Sequence, residues 1–364
     1  MHRNVSFFVK VCLINTNKEW GGGEKWHYQA ALKLKDAGHH VVVVADRNGP
    51  LAAALKDSVR LLKIEIGNLT FLNPLISNKI STFFKLERFD AIIMNLPRDV
   101  KAFSKPAAKA GTKKIVYRRG MNHPIKASLV NRFFYKRYVT DIIANSEAVR
   151  RSIFQNIPEL EAKITTIQNG VNTRVVWKHE PPRVDKILIG SLGRLVDQKG
   201  HIDLIKLGKF FLSKGIAFHI FIGGEGPSRK MLESEIANNS LDDHLTLMGK
   251  VKPQDFFQRI DYFVFPSRFE GLSNAMLEAA QHGKPIFCYD VASNSEIVEH
   301  GISGYLVEPF DFEKLGSHLI ELHNNPELYA DMQRAGQAIL RDKFDEDKLF
   351  KKLENLLSSD SQDV

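Results

Sequence analysis

The sequence predicts an α/β protein made of two tandem, doubly wound Rossmann-like domains. Three observations predict it. Short apolar runs rich in Val, Ile and Phe alternate with amphipathic stretches, the pattern of parallel strands joined by helical crossovers. The alternation breaks once, around the Pro181-Pro182 pair, and then begins again. A length of 364 residues is long for one core and comfortable for two.

In the first half, VKVCLIN reads as a strand, a glycine loop follows, KWHYQAALKLKDAGH has helical spacing and VVVVA is a second strand. Further strands are expected at Ala91 to Met94, Lys114 to Tyr117 and Ile142 to Ala144, and Lys163 to Ile167 leads to a turn at Asn169 and Gly170. The first domain is therefore placed at residues 1–172 and the linker at 173–185. The alternation resumes with KILIGSLG, HIDLIKLGKFFLSKG, AFHIFIGG, a helix near Ser228 to Asn238, LTLMG, a helix near Pro253 to Arg259, and DYFVFP. After PIFCY come a helix from Asn294 to Glu299, the turn HGISGYLVEP and further helices, which closes a second domain at 186–342. Residues 343–357 are expected to hold an amphipathic terminal helix, and 358–364 to be a frayed tail.

The stretch Asp261 to Pro285 concentrates the chemistry. Tyr262 to Phe265 is a buried-strand run stopped by Pro266 and Ser267; Ser273 is a helix N-cap, Asn274 to Gln281 the helix, and Gly283 with Pro285 its end. Such a helix start offers unpaired N–H groups and the positive end of the helix dipole, a site for a phosphate. Glu270 lies just ahead of it. Glu278, more than a turn inside, is placed to accept hydrogen bonds from a diol such as a ribose, although a plain surface carboxylate is the competing reading. Upstream, Gly21-Gly22-Gly23-Glu24 lets backbone approach a phosphate or sugar, but lacks the third glycine of the dinucleotide fingerprint.

Charge is unevenly distributed. Residues 1–182 hold 30 Lys and Arg against 14 Asp and Glu, and residues 183–364 hold 21 against 28, which together give the net +9. The basic half points to a polyanion or an anionic surface. Zinc-finger, aromatic RNA-binding and helix-turn-helix patterns are absent, which argues against nucleic acid. Arg118 and Arg119 end a strand and are suited either to an anionic acceptor group or to a solvated charge run. NRFFYKRY, residues 131–138, interleaves aromatics and cations and suits either an anionic membrane surface or a core helix with an exposed back. Lys10 interrupts the N-terminal apolar run, no small-residue cleavage site follows, and no run reaches membrane-spanning length. Cys12 and Cys288, both in strand-like runs, read as free thiols. These observations predict a cytoplasmic protein, docked at most to the inner face of the cell membrane.

Glu270 and Glu278 in EGLSNAMLE, together with Gly193 to Gly200, GRLVDQKG, resemble the signature segments of the retaining glycosyltransferases of family 4, whose fold is the two-domain GT-B type. GGGEKW resembles the same family's Gly-Gly-x-Glu loop, and Gly223 to Pro227, GGEGP, its Gly-x-Gly-Pro segment. The resemblance implies that Arg194, Lys199 and Glu270 are catalytic, the two cations holding the diphosphate and Glu270 orienting the donor sugar. It implies donor-binding roles for Gly22, Gly23, Gly224, Gly249, Gly271, Leu272, Ser273 and Glu278, with the base read by backbone near Met248 to Val251. It also implies a terminal helix that crosses back to the first domain. Arg118, Arg119 and His123 are the acceptor-side candidates, although His123 is displaced from the family's usual histidine, and Asn172 stands where an aspartate is usual. Ser293 to Glu296 lies where the family has a glutamate-bearing loop near the sugar, or is a surface turn.

The implied activity is transfer of a sugar, with retention, from a nucleotide-sugar donor to a saccharide or glycolipid hydroxyl, in cell-surface polysaccharide or lipopolysaccharide biosynthesis. The donor is a substrate rather than a cofactor. A UDP-sugar is favoured, while guanosine and adenosine donors stay open. No metal is expected, because no aspartate- or histidine-rich ligand cluster is visible and two cations already cover the charge. The alternatives are a nucleotide-sugar epimerase of the same fold and a non-catalytic nucleotide-sugar-binding protein.

Overall fold

A computed structural model describes residues 8–175 and 180–359. It divides into a first unit, Met1–Asn169 with Lys348–Val364, and a second unit, Gly170–Asp347. The expected tail and the middle of the expected linker fall largely outside the described residues. At the linker's described ends, Thr173 Oγ1 donates to Asp345 and Arg183 pairs with Asp261 at 3.1 Å. Val171 is packed in the second unit's core and bridges to Asp345, so the chain enters the second unit slightly before residue 172.

The first unit is built on seven parallel strands: β1 (Lys10–Asn15), β2 (His40–Asp46), β3 (Arg60–Ile64), β4 (Ala91–Met94), β5 (Lys114–Arg119), β6 (Asp141–Ala144) and β7 (Ile164–Thr166), in the order β3-β2-β1-β4-β5-β6-β7. Continuous apolar runs put β1, β2 and β4 in the middle, where both faces are covered; Cys12, for example, lies beside Val42 and Ile92. Helices Pro74–Glu87, Pro97–Lys109 and Leu129–Arg137 cover one face, and Gly22–Asp36 and Glu346–Ser358 the other. The last of these buries Leu349, Leu353 and Leu357, spaced one turn apart, against the first unit's core.

The second unit has six parallel strands: β8 (Ile187–Leu192), β9 (Phe218–Gly223), β10 (Leu245–Gly249), β11 (Tyr262–Phe265), β12 (Ile286–Tyr289) and β13 (Gly304–Val307), in the order β10-β9-β8-β11-β12-β13. Two strands escape the sequence pattern. β3 is a half-exposed edge strand whose basic residues hide its periodicity, and β13 lies inside HGISGYLVEP, where turn residues dominate. β13 becomes a strand through register with β12, Ile286 beside Gly304 and Tyr289 beside Val307. The helix expected over Asn294 to Glu299 stops at Ile297, since Val298 is extended. Among the described residues no helix is long and apolar enough to cross a membrane, and Cys12 and Cys288 are both buried and free, their thiols pushed up by burial.

In each sheet the strand order reverses once, between β1 and β4 and between β8 and β11, and in open α/β sheets ligands bind outside the carboxyl ends of the strands at such a point. Leu353→Ala should destabilise the first unit by about 2–4 kcal/mol, the range for a buried leucine truncation. Denaturant unfolding followed by a probe in that unit measures it, and an unchanged midpoint would mean the terminal helix is not part of that core.

Candidate functional site

In the second unit, the loops leaving β8 and β11 are joined residue by residue. The Arg268 N–H donates to the Gln198 carbonyl at 2.9 Å, Gln198 Nε2 donates to the Phe269 carbonyl at 2.6 Å, and Arg268 Nη1 reaches Asp197 Oδ1 at 2.8 Å. Gly200, with φ 67°, allows the contact: a Cβ there would lie 2.0 Å from the Pro266 carbonyl oxygen. Lys199 and Glu270, predicted separately, meet inside this seam. Lys199 Nζ donates to Glu270 Oε1 at 2.6 Å, the same oxygen accepts from Ser267 Oγ at 2.5 Å, and the ammonium lies 4.9 Å from the Phe265 ring centre. The side chains of Lys199 and Glu270 are mostly buried, so each charge is compensated by the other rather than by bulk water.

The β9 loop closes against the other side of the β8 loop. Leu195 N–H donates to the Glu225 carbonyl at 3.0 Å, Ser228 N–H to the Leu195 carbonyl at 2.9 Å and Gly224 N–H to the Gly249 carbonyl at 2.7 Å. Gly224 has φ 135°, and a Cβ on it would lie 1.8 Å from the Gly193 carbonyl oxygen. Gly224, Gly249 and the Gly193–Gly200 loop thus share one edge of the sheet, with the Arg194 side chain exposed on it. After Glu270, Gly271 and the buried Leu272 lead to Ser273, whose Oγ accepts from Met276 N–H at 3.4 Å and caps the Asn274–Gln281 helix. Glu278 is half-buried on the second turn.

Sequence reasoning missed the layer beneath. The Arg268 guanidinium lies 5.2 Å from the Phe310 ring centre and 4.0 Å from Asp203, and Asp203 also accepts from the Tyr289 hydroxyl at 3.0 Å and pairs with Lys206 at 2.8 Å. Asp203 is fully interior on an otherwise apolar helix face, a placement charged residues adopt only when paired. That mismatch was the available signal. His201 is buried too, and burial together with the Lys199 charge pushes its imidazole down to about 4.

The first unit's candidates lie inside the fold. Gly22 and Gly23 form the first turn of the Gly22–Asp36 helix, Glu24 is buried and accepts from Asn15 Nδ2 at 3.0 Å, and His27 Nδ1 is 3.0 Å from the Gly23 carbonyl. Arg118 and Arg119 are not a solvated charge run: both are buried because β5 ends beneath the loops of its carboxyl edge. Arg118 lies 5.0 Å from the Trp26 ring centre and donates to Asn169 Oδ1 at 2.8 Å, and burial, opposed by the Glu24 charge, lowers its guanidinium to about 10. Arg119 donates to the Tyr117 hydroxyl at 2.9 Å and to the His123 carbonyl, so it ties down the turn that carries the exposed His123 ring.

Two doubly wound parallel-sheet units of this kind define the GT-B architecture. HepE of Anabaena, solved in complex with UDP, superposes with a TM-score of 0.82 over 96% of this chain and 99% of its own at 19% identity, a likeness of fold. Residues 176–339 match the family described as glycosyl transferases group 1, and residues 20–175 the one described as glycosyltransferase family 4. The chain thus carries a glycosyltransferase family 4 domain followed by a glycosyl transferases group 1 domain. Among curated relatives, the capsular polysaccharide biosynthesis glycosyltransferase CapM of Staphylococcus aureus is 27% identical over 60% of this chain and 62% of its own length. The poly(ribitol-phosphate) alpha-N-acetylglucosaminyltransferase of the same organism is 26% identical over 61% of this chain and 44% of its own. The chain thus covers less than two thirds of these relatives' lengths.

A double-mutant cycle with Lys199→Met and Glu270→Gln should give a coupling of about 1–3 kcal/mol in unfolding free energy, as expected for a shared, partly buried charge pair; additive losses would mean the contact stabilises nothing. A pH effect follows from His27, whose imidazole is pushed down to about 3 by burial and then by the Arg118 charge. Below its ordinary value near 6.5 the unfolded chain takes up a proton that the folded chain refuses, so stability is lost as pH falls. The loss is roughly 2 kcal/mol between pH 6.5 and 5. His27→Gln should flatten that limb of the curve, and parallel curves for variant and parent would refute the assignment.

Proposed function

We propose that the protein is a retaining, nucleotide-sugar-dependent hexosyltransferase that moves a sugar from a UDP-sugar to a hydroxyl of a saccharide or glycolipid acceptor in cell-surface glycan biosynthesis. One observation carries the reading: Lys199, Glu270 and the start of the Ser273-capped helix lie on one short stretch of sheet edge at the strand-order reversal of the second unit. A diphosphate there would meet a cation and the positive end of that helix's dipole together. Lys199 would exchange its bond to Glu270 for one to the diphosphate, and the freed carboxylate would take a sugar hydroxyl. Arg194 adds a second cation, Glu278 accepts from the ribose diol, and the backbone at Gly224 and Gly249 lines the nucleoside. Gly22 and Gly23 allow close approach of the transferred sugar, and the turn held by Arg119 presents His123 to the acceptor.

In the reaction the bond from the anomeric carbon to the diphosphate oxygen breaks, and a bond from that carbon to the acceptor oxygen forms on the same face. The acceptor proton passes to the departing phosphate oxygen, and the nucleoside diphosphate leaves with its charge held by Lys199 and Arg194. The activities of the relatives, capsular polysaccharide synthesis and poly(ribitol-phosphate) glycosylation, support an anionic cell-surface glycan as acceptor class, and the basic balance of residues 1–182 is consistent with it.

The test is incubation of the purified protein with UDP-, GDP- and ADP-sugars, with and without glycolipid-containing membrane extract, following nucleotide release and the anomeric configuration of the product. Acceptor-dependent release of UDP with retention is expected, and Lys199→Ala should lower kcat about 10²–10³-fold, as for loss of one preorganised charge-stabilising donor. An altered free sugar formed without acceptor would instead identify an epimerase, and nucleotide binding without turnover a binding protein.

A further inference from the structure

The first unit has a surface that sugar transfer does not use. The turn after β3 and the helix Leu129–Arg137 are neighbours, because the Phe71 and Phe134 rings meet edge to face at 5.6 Å. From these adjoining segments large apolar side chains stand out into solvent: Leu69 and Leu72 on the turn and Leu75 at the start of the helix that follows it, and Leu129, Val130 and Phe133 on the second, with Leu129 86% exposed and Leu72 66%. On the helix the three lie on one face, at spacings of three and four, while Phe134 and Tyr135 turn inward to the core. The aromatic-basic segment is therefore divided between a core-facing side and an outward one.

Cations border the apolar residues. Lys126 and Arg137 are exposed at either end of the helix, and Lys101 Nζ lies 5.9 Å from the Phe71 ring centre. At this edge Glu159 engages Arg132 and Lys136 at 3.3 and 2.9 Å. Residues 66–138, which supply both segments, hold 15 Lys and Arg, of which Lys114, Arg118 and Arg119 are buried, against 3 Asp and Glu. Of those three acids, Asp99 is interior and Glu87 is bonded to Lys10 and Arg60.

From this arrangement we infer that the surface around Leu72 and Phe133 docks the protein on an anionic phospholipid bilayer. Protruding leucines and a phenylalanine rimmed by Lys and Arg match an interface of acyl chains beneath anionic headgroups. A second copy of the chain is disfavoured as the occupant, because a two-fold contact would bring the same basic rim against itself. Apolar side chains that project into solvent likewise suit a deformable lipid surface, which can close around them. Docking here would bring the first unit to acceptors carried on lipid, but the inference stands apart from the transfer reading, since lipid binding is measured without donor or acceptor.

The experiment is flotation of the full chain with vesicles of phosphatidylcholine alone and of phosphatidylcholine mixed with phosphatidylglycerol, at low and high salt. The protein should float with the mixed vesicles, weakly or not at all with the neutral ones, and lose binding as salt rises. The pair Leu72→Ser and Phe133→Ser should lower partition about tenfold or more, and Leu129→Ser, on a separate turn, should lower it in the same direction. Lys126→Gln with Arg137→Gln should lower binding to the anionic vesicles by about tenfold and leave neutral vesicles unaffected. Affinity for UDP and the circular dichroism spectrum should be unchanged in every variant, which separates loss of docking from loss of folding or of the second unit's site. The inference is overturned if the parent protein does not float with the mixed vesicles, or if the serine variants float as well as the parent. It is equally overturned if sedimentation shows a dimer that Leu72→Ser with Phe133→Ser converts to monomer, or if an acidic soluble protein binds this surface where vesicles do not.

Discussion

The second unit's site depends on backbone contact between the loops leaving β8 and β11. Two neighbouring parallel strands deliver their loops only a strand spacing apart, yet loops normally swing away to let side chains through. Here Gly200 lies against the Pro266 carbonyl with no room for a Cβ, and the Arg268–Gln198 backbone bond then holds the two loops in register. That seam is what allows Lys199 and Glu270, 71 positions apart in the chain, to share a proton-donating contact. Ser267 and the Phe265 ring complete the surroundings of the pair, so neither charge is left facing an apolar wall. The Arg268–Asp203–Tyr289 layer beneath supports the seam from the helix that follows it.

The first unit handles its charges in the opposite way. Arg118 and Arg119 are drawn inside, where a guanidinium is costly unless compensated: Arg118 lies over the Trp26 ring and donates to Asn169, and Arg119 donates to the Tyr117 hydroxyl and the His123 carbonyl, while the Nε of each is buried without a partner. Arg118 stacks on Trp26, which belongs to the helix that begins with the glycine turn, and Arg119 secures the turn after β5. The two arginines thus couple the conformations of the Gly22–Asp36 helix and of the segment bearing His123 to the end of a single strand. Their chemistry reaches the carboxyl edge through the loops they hold.

The uneven charge of the chain has a structural counterpart. Lys126, Arg137 and Lys101 border the exposed leucines and phenylalanine of the first unit, whereas Lys199 and Arg268 in the second unit are tied to specific carboxylates. Cations of the first kind act as a diffuse field, and those of the second kind as positioned groups, which is why net charge alone says little about the chemistry of either.

Most of the framework was legible from the chain. Continuous apolar runs such as VVVVA and YFVF are buried on both sheet faces, so their composition reports their position directly, and the Ser273 cap and the Asn274–Gln281 helix follow from local rules of hydrogen bonding. The membership of Arg194, Lys199, Glu270 and Glu278 in recognisable segments was equally a property of the sequence. What remained hidden was whatever depends on distant partners: β13, which is a strand only because β12 pairs with it; the burial of Arg118 and Arg119, set by Trp26, Asn169 and Tyr117; and the bond from Lys199 to Glu270. Local spacing determines which way a side chain leaves its own element. Which group it meets is decided by the packing of other elements, and that information exists only in the folded chain.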